Sequence, residues 1–85
     1  MLSRTITVRR PEGLHARPAA LFVEAAKKHP DKVEVEYQGK RGNAKSILSL
    51  LQMGISSGQS ITIYAEGDGA SEILAQLAHV AEQEH

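Results

Sequence analysis

Apolar and polar residues alternate in three segments of the chain, and this period of two predicts β-strands. The segments are residues 4–8, 32–37 and 60–66. A short fourth strand over residues 40–43 is predicted as well, because the Gln38-Gly39 pair before it is typical of a hairpin turn. Each of these strands is expected to have one buried face and one face in water.

Three other segments have apolar residues at the three- and four-residue spacing of a helix. They predict helices over residues 16–28, 46–53 and 70–84, with Gly54 closing the second. On the first helix, the residues expected to be buried are Ala19, Phe22, Val23 and Ala26. On the last, they are Ile73, Leu74, Leu77, Val80 and Ala81.

The predicted order of elements is therefore βαββαβα. Half-buried alternating strands favour an antiparallel sheet, with all three helices covering one of its faces. The predicted fold class is α+β, an open-faced sandwich of four strands and three helices. A chain of 85 residues is long enough for one core, so residues 1–85 are expected to form a single domain.

The composition excludes several classes of function. Ten basic and ten acidic residues give a formal net charge of zero, so no field attracts nucleic acid or an anionic membrane. Cysteine is absent, which excludes disulfides and thiol catalysis. No apolar run approaches the length of a membrane span, and the N-terminal residues lack a signal-peptide pattern. We expect a cytoplasmic protein.

His15 precedes a predicted helix start, in the segment GLHARPAA that begins at Gly13. Proline is tolerated in the first turn of a helix, so Pro18 places the helix start near Ala16 and makes His15 the N-cap. Histidine caps poorly compared with Ser, Thr, Asp or Asn. The free N–H groups of a helix start bind anions, and Arg17 adds a guanidinium suited to phosphate oxygens.

Two interpretations of His15 follow. A histidine at a helix start is most often a surface or turn residue without a chemical role. In combination with Gly13, Arg17 and Pro18, His15 is instead a candidate nucleophile, beside groups that would hold a transferred phosphoryl group. The other histidines, His29, His79 and His85, have no spacing typical of a metal site. We expect no metal and no organic cofactor.

Two motifs of the chain resemble the signatures of one family. Residues 11–19, PEGLHARPA, are similar to the active-site signature of HPr, the histidine-containing phosphocarrier of the bacterial phosphoenolpyruvate-dependent sugar phosphotransferase system (PTS). The segments KSIL at 45–48 and MGI at 53–55 are similar to the signature around its regulatory serine. The resemblance covers essentially the whole chain, and it implies the HPr-like fold and its order of strands in the sheet.

The resemblance implies a carrier rather than a turnover enzyme. Nδ1 of His15 would take a phosphoryl group from phosphorylated enzyme I and pass it to the IIA domain of a PTS sugar permease. The side chain of Arg17 and the backbone N–H groups of Ala16 and Arg17 would hold that group. We expect a monomer that makes transient complexes with these partners. Glu12 stands where the family often has an uncharged polar residue, and it adds a negative charge near His15.

The short second helix has more apolar residues than two turns can bury. We expect Leu50 to fill the core. The resemblance implies that the matching partner-binding positions are Ala20, Ile47, Leu48 and Leu51.

Ser46 has two interpretations, since serine is a favoured N-cap and the matching serine is phosphorylated in only part of the family. Where it is phosphorylated, the resemblance adds an HPr kinase/phosphorylase and a catabolite-control transcription regulator as partners. Two alternatives to sugar transport also stay open. One is a nitrogen-regulatory phosphorelay, and the other is a purely regulatory binding module that transfers nothing.

Overall fold

The computed structural model describes residues 1–84 and has the predicted order of elements, βαββαβα. Most boundaries lie within one residue of those predicted, but the first strand begins two residues earlier and the last helix ends two residues earlier. The elements are β1 (Leu2–Thr7), α1 (Ala16–Lys27), β2 (Val33–Tyr37), β3 (Lys40–Asn43), α2 (Ile47–Met53), β4 (Ser60–Ala65) and α3 (Ala70–Glu82).

The four strands form one antiparallel sheet in the order β1-β4-β2-β3. The central strand β4 pairs Ile61 with Ile6 of β1, and Ile63 with Val35 of β2. These side chains are buried, so the register places the apolar positions of three strands on the same face. The predicted antiparallel open-faced sandwich is confirmed.

The core lies between that face and the helices. Phe22 of α1, Leu50 of α2 and Leu77 of α3 are buried against it, and each such side chain contributes about 1.5–3 kcal/mol by leaving water. Val80 was predicted to be buried but is only partly so, because it packs at the margin of the core. Val8 is fully buried although it lies beyond the end of β1.

His29, just beyond the end of α1, is a buried polar residue. It is 5% exposed, and its Nε2 lies 2.6 Å from the carbonyl oxygen of Glu66. A carbonyl only accepts, so Nε2 carries the proton in this bond. The Lys45 ammonium donates in turn to the carbonyl of His29, at 2.5 Å. His29 therefore joins the end of α1 to the segment before α3.

The open face of the sheet carries the perturbed ionisable groups. A hydrogen bond from the Tyr64 hydroxyl, with further help from Arg41, lowers the pKa of the Glu36 carboxyl. The Arg41 guanidinium lies 3.8 Å from the centre of the Tyr64 ring. This cluster is on the face opposite the helices, so it takes no part in the chemistry of the α1 N-terminus.

Candidate functional site

The segment between β1 and α1, residues 8–15, is here called the entry loop. Its N-terminal part is held by two backbone hydrogen bonds. The N–H of Val8 donates to the backbone carbonyl of Gln59 at 2.8 Å, and the N–H of Arg9 donates to that of Ala81 at 2.9 Å. Further along, the N–H of Gly13 donates to the carbonyl of Arg10 at 2.9 Å and closes a turn that contains Pro11.

Gly13 lies where the backbone of the entry loop approaches another segment closely. Its φ is +72°, and a Cβ there would overlap the carbonyl oxygen of Ile55 and lie 3.0 Å from Cα of Ser56. The next residue, Leu14, is fully buried, and its N–H donates to the same Ile55 oxygen at 3.1 Å. The backbone directly before His15 is thus fixed from two sides.

His15 is the N-cap of α1, as predicted, with extended backbone at φ −126° and ψ 164°. Its side chain makes no capping bond, and within residues 1–84 the imidazole has neither a hydrogen bond nor an ion pair. The residue is half-buried. The ring therefore contributes little to holding the helix and is available to react.

Ala16 has a φ of +51°, which no sequence signal predicted. This left-handed conformation costs a residue other than glycine about 1–3 kcal/mol, and such outliers cluster at functional sites. Arg17 follows it and is exposed, with no hydrogen bond or ion pair in the described part of the chain. The strained residue thus separates a free imidazole from a free guanidinium.

The arrangement suits transfer of an anionic group. An unprotonated imidazole is a nucleophile near neutral pH. The N–H groups at the start of a helix and the exposed Arg17 guanidinium favour negative charge beside it. Among the described residues, no group of three His, Cys, Asp or Glu side chains could hold a metal ion. No helix among them is long and apolar enough to span a membrane.

Ser46 is the N-cap of α2, and its Oγ accepts a hydrogen bond from the N–H of Ser49 at 3.2 Å. At the other end of the helix, Gly54 adopts the left-handed conformation with φ +64°. Both caps of α2 are as the sequence predicts, and Ser46 is half-buried.

The apolar side chains of α2 divide as predicted. Leu50 is 1% exposed, whereas Leu48 is 63% exposed and Ile47 and Leu51 are exposed as well. Helix α2 packs against α1, on which Ala20 is exposed. The structure adds a large apolar side chain that sequence reasoning missed, because Leu21 of α1 is also exposed. Its signal was its position beside Ala20, off the buried face.

In this open-faced sandwich, the residue directly before α1 is a histidine whose ring makes no hydrogen bond or ion pair within the described chain. The model of the family described as PTS HPr component phosphorylation site matches residues 2–83. The chain belongs to this HPr family.

The chain is similar both to an HPr-like protein, Crh, and to HPr itself. It is 40% identical over 84 residues to the HPr-like protein Crh of Bacillus subtilis (strain 168), with 99% of each chain covered. It is similar to the crystal structure of HPr-C-His from Thermoanaerobacter tengcongensis, with a TM-score of 0.94, 40% identity, and 99% and 94% of the two chains covered. A Bacillus subtilis Crh structure, described as a domain-swapped, intertwined dimer, has a TM-score of 0.76 and 40% identity, covering 99% and 97%.

Proposed function

We propose that this protein carries a phosphoryl group on Nδ1 of His15, from phosphorylated enzyme I to the IIA domain of a PTS sugar permease. The observation that carries the proposal is the state of His15. It is the N-cap of α1, yet its ring makes no bond within the described chain. The identity of the donor, the acceptor and the ring nitrogen rests on the family resemblance.

The transfer needs only a nucleophile and compensation of charge. The imidazole lone pair of His15 attacks phosphorus, an N–P bond forms, and the bond from phosphorus to the donor group of enzyme I breaks. In the second step the acceptor of the IIA domain attacks, and the imidazole leaves with its electron pair. Arg17 and the N–H groups of Ala16 and Arg17 would neutralise the phosphoryl oxygens during both steps.

The direct test uses the purified chain with enzyme I and phosphoenolpyruvate. Intact mass should increase by one phosphoryl group, and addition of a IIA domain should remove that group again. An unchanged mass in the presence of active enzyme I would reject the function. Acceptance without onward transfer would reject the IIA step alone.

The regulatory alternative has support of its own, because the Crh relative is as similar in sequence as the HPr relative. Against it stands His15, since a module that transfers nothing has no need of a nucleophile.

Sugar uptake in a deletion strain separates sugar transport from a nitrogen-regulatory phosphorelay. The expected monomer conflicts with the dimeric form of that Crh relative, so the mass of this chain in solution has to decide its oligomeric state.

Leu48→Glu and Leu51→Glu are expected to weaken docking to enzyme I and to leave the domain folded. Both side chains are exposed, so the free energy of unfolding should change by about 0.5 kcal/mol or less. A charge in an apolar contact should raise KM for the carrier about tenfold or more, as removal of a central interface side chain does.

Leu50→Ala is the matched control on the same helix. This side chain is buried, and its truncation should cost about 2–5 kcal/mol of stability. If Leu48→Glu or Leu51→Glu unfolds the domain in the same way, that side chain belongs to the core and the docking role is wrong.

Ser46→Asp should slow phosphorylation of the carrier at low concentrations of enzyme I, and saturating enzyme I should restore the rate. Aspartate is also a good N-cap and is favoured by the helix dipole, so α2 should remain folded. The added charge lies beside Ile47 and Leu48, where the partner would dock.

Ser46→Asn caps the helix without adding charge and is the control for this variant. Equal rates for the aspartate and asparagine variants at low enzyme I would leave Ser46 with its capping role alone.

A further inference from the structure

Arg10 is a buried charged side chain in the entry loop, and sequence reasoning did not single it out. It is 7% exposed. Burying a guanidinium is costly unless its donors find good partners, and an apolar side chain of similar size would pack there more cheaply. The burial of an arginine at this point therefore indicates that its directed hydrogen bonds have a role that an apolar side chain could not fill.

Those hydrogen bonds lead to the end of α3. The Arg10 Nε donates to the carbonyl of Val80 at 2.7 Å, and Nη2 donates to Oε1 of Gln83 at 3.0 Å. Val80 belongs to the last turn of α3, where carbonyls have no partner within the helix and a cation is favourable. The backbone N–H of Arg9 satisfies Ala81, the next carbonyl. The guanidinium thus ties the entry loop to the C-terminal turn of α3.

Arg10 is also part of the turn that leads to His15. Its carbonyl accepts the hydrogen bond from Gly13 that closes this turn, and Leu14 follows in the core. The planar guanidinium donates to both Val80 and Gln83 and so fixes the start of the turn. The carbonyl of Ile55, which accepts from Leu14, fixes its end. Only one buried residue then separates Gly13 from His15.

We propose that Arg10 is a positioning residue for phosphoryl transfer, which holds the turn of residues 10–13 against α3 and thereby places His15. The expected loss of transfer rate rests on the proposed carrier function, whereas the role of Arg10 in holding the turn against α3 does not. Without the guanidinium, the turn should move relative to α3, and His15 should sample positions unsuited to in-line attack on phosphorus.

The test compares Arg10→Met with Arg9→Met. Both variants lose one positive charge at the same end of the molecule, but the Arg9 side chain is exposed. With enzyme I and phosphoenolpyruvate, Arg10→Met should lower kcat for the carrier by about ten- to a hundredfold, the usual range for a displaced reacting group, and change KM by less than about twofold. Arg9→Met should keep the kcat of the unmodified chain.

Two further variants separate positioning from folding. Arg10→Lys keeps one cationic donor and should recover part of the rate. Gln83→Met removes the Oε1 acceptor of Arg10 from a half-exposed residue, together with the Gln83 Nε2 contact to the exposed His79, and should reduce kcat even if Arg10→Met does not fold. If Arg10→Met folds, an unchanged kcat per folded molecule would overturn the proposal. If Arg10→Met does not fold, an unchanged kcat in Gln83→Met would overturn it. So would an effect confined to KM.

Amide hydrogen exchange at Gly13 distinguishes this failure from failure of the proposed function. If the unmodified chain accepts no phosphoryl group, the carrier function is wrong, and the exchange rate alone decides on Arg10. Faster exchange of the Gly13 amide in Arg10→Met than in Arg9→Met supports the positioning role. Equal protection in the two variants overturns it.

Discussion

His15→Ala is expected to abolish phosphoryl acceptance without unfolding the domain. Loss of an N-cap side chain usually costs about 1 kcal/mol, because a capping hydrogen bond is lost. The imidazole of His15 makes no such bond, so the free energy of unfolding should change by about 0.5 kcal/mol or less. Intact mass after incubation with enzyme I and phosphoenolpyruvate measures acceptance, and urea unfolding measures stability.

His79→Ala is the control for that experiment. His79 is exposed on α3, and among the described residues its ring makes a hydrogen bond with the Gln83 side chain alone. This variant should still gain one phosphoryl group. If His15→Ala gains the same mass, the acceptor is another residue and the assignment of His15 is wrong.

Gly13→Ala should strongly destabilise the domain through the entry loop. The new Cβ would overlap the Ile55 carbonyl, and the φ of +72° is strained for alanine. We expect the free energy of unfolding to fall by about 2–4 kcal/mol, the sum of the conformational strain and the displaced contact. The hydrogen bond from Leu14 to Ile55 should weaken too, and with it the position of His15.

Gly39→Ala separates the two contributions. Gly39 has a similar φ of +79°, but an added Cβ would meet no atom within 4 Å. In Gly39→Ala the free energy of unfolding should fall by about 1 kcal/mol, from backbone strain alone. Equal losses in urea unfolding for the two variants would show that the Ile55 segment moves aside freely and does not hold the entry loop.

The elements of this fold were predictable because each has a local pattern. Strict alternation gave β2 and β4, and the caps at Ser46 and Gly54 delimited α2. The excess of apolar residues on α2 predicted that some of them are exposed, whereas the family resemblance indicated that Leu48 is among these. The order of strands has no such local signal, since it depends on which distant segments pair, and only the family resemblance implied it.

The parts that could not be predicted depend on contacts distant in sequence. His29 is buried because the carbonyl of Glu66 is within reach of its ring, and Arg10 is buried because α3 ends beside it. Neither partner is recognisable from the neighbouring residues. The left-handed backbone of Ala16 likewise has no signal in the sequence, as alanine has no preference for that conformation.

The strand order has a consequence for how the molecule assembles during synthesis. Strand β1 is made first, but in the described sheet its neighbour is β4, more than half of the chain away. The β2–β3 hairpin and α1 can form from nearby residues, whereas β1 has to wait until the ribosome has delivered β4. Since the entry loop leaves from β1 and is fastened to α3, the surroundings of His15 are completed last. His15 is therefore synthesised well before the segments that complete its site.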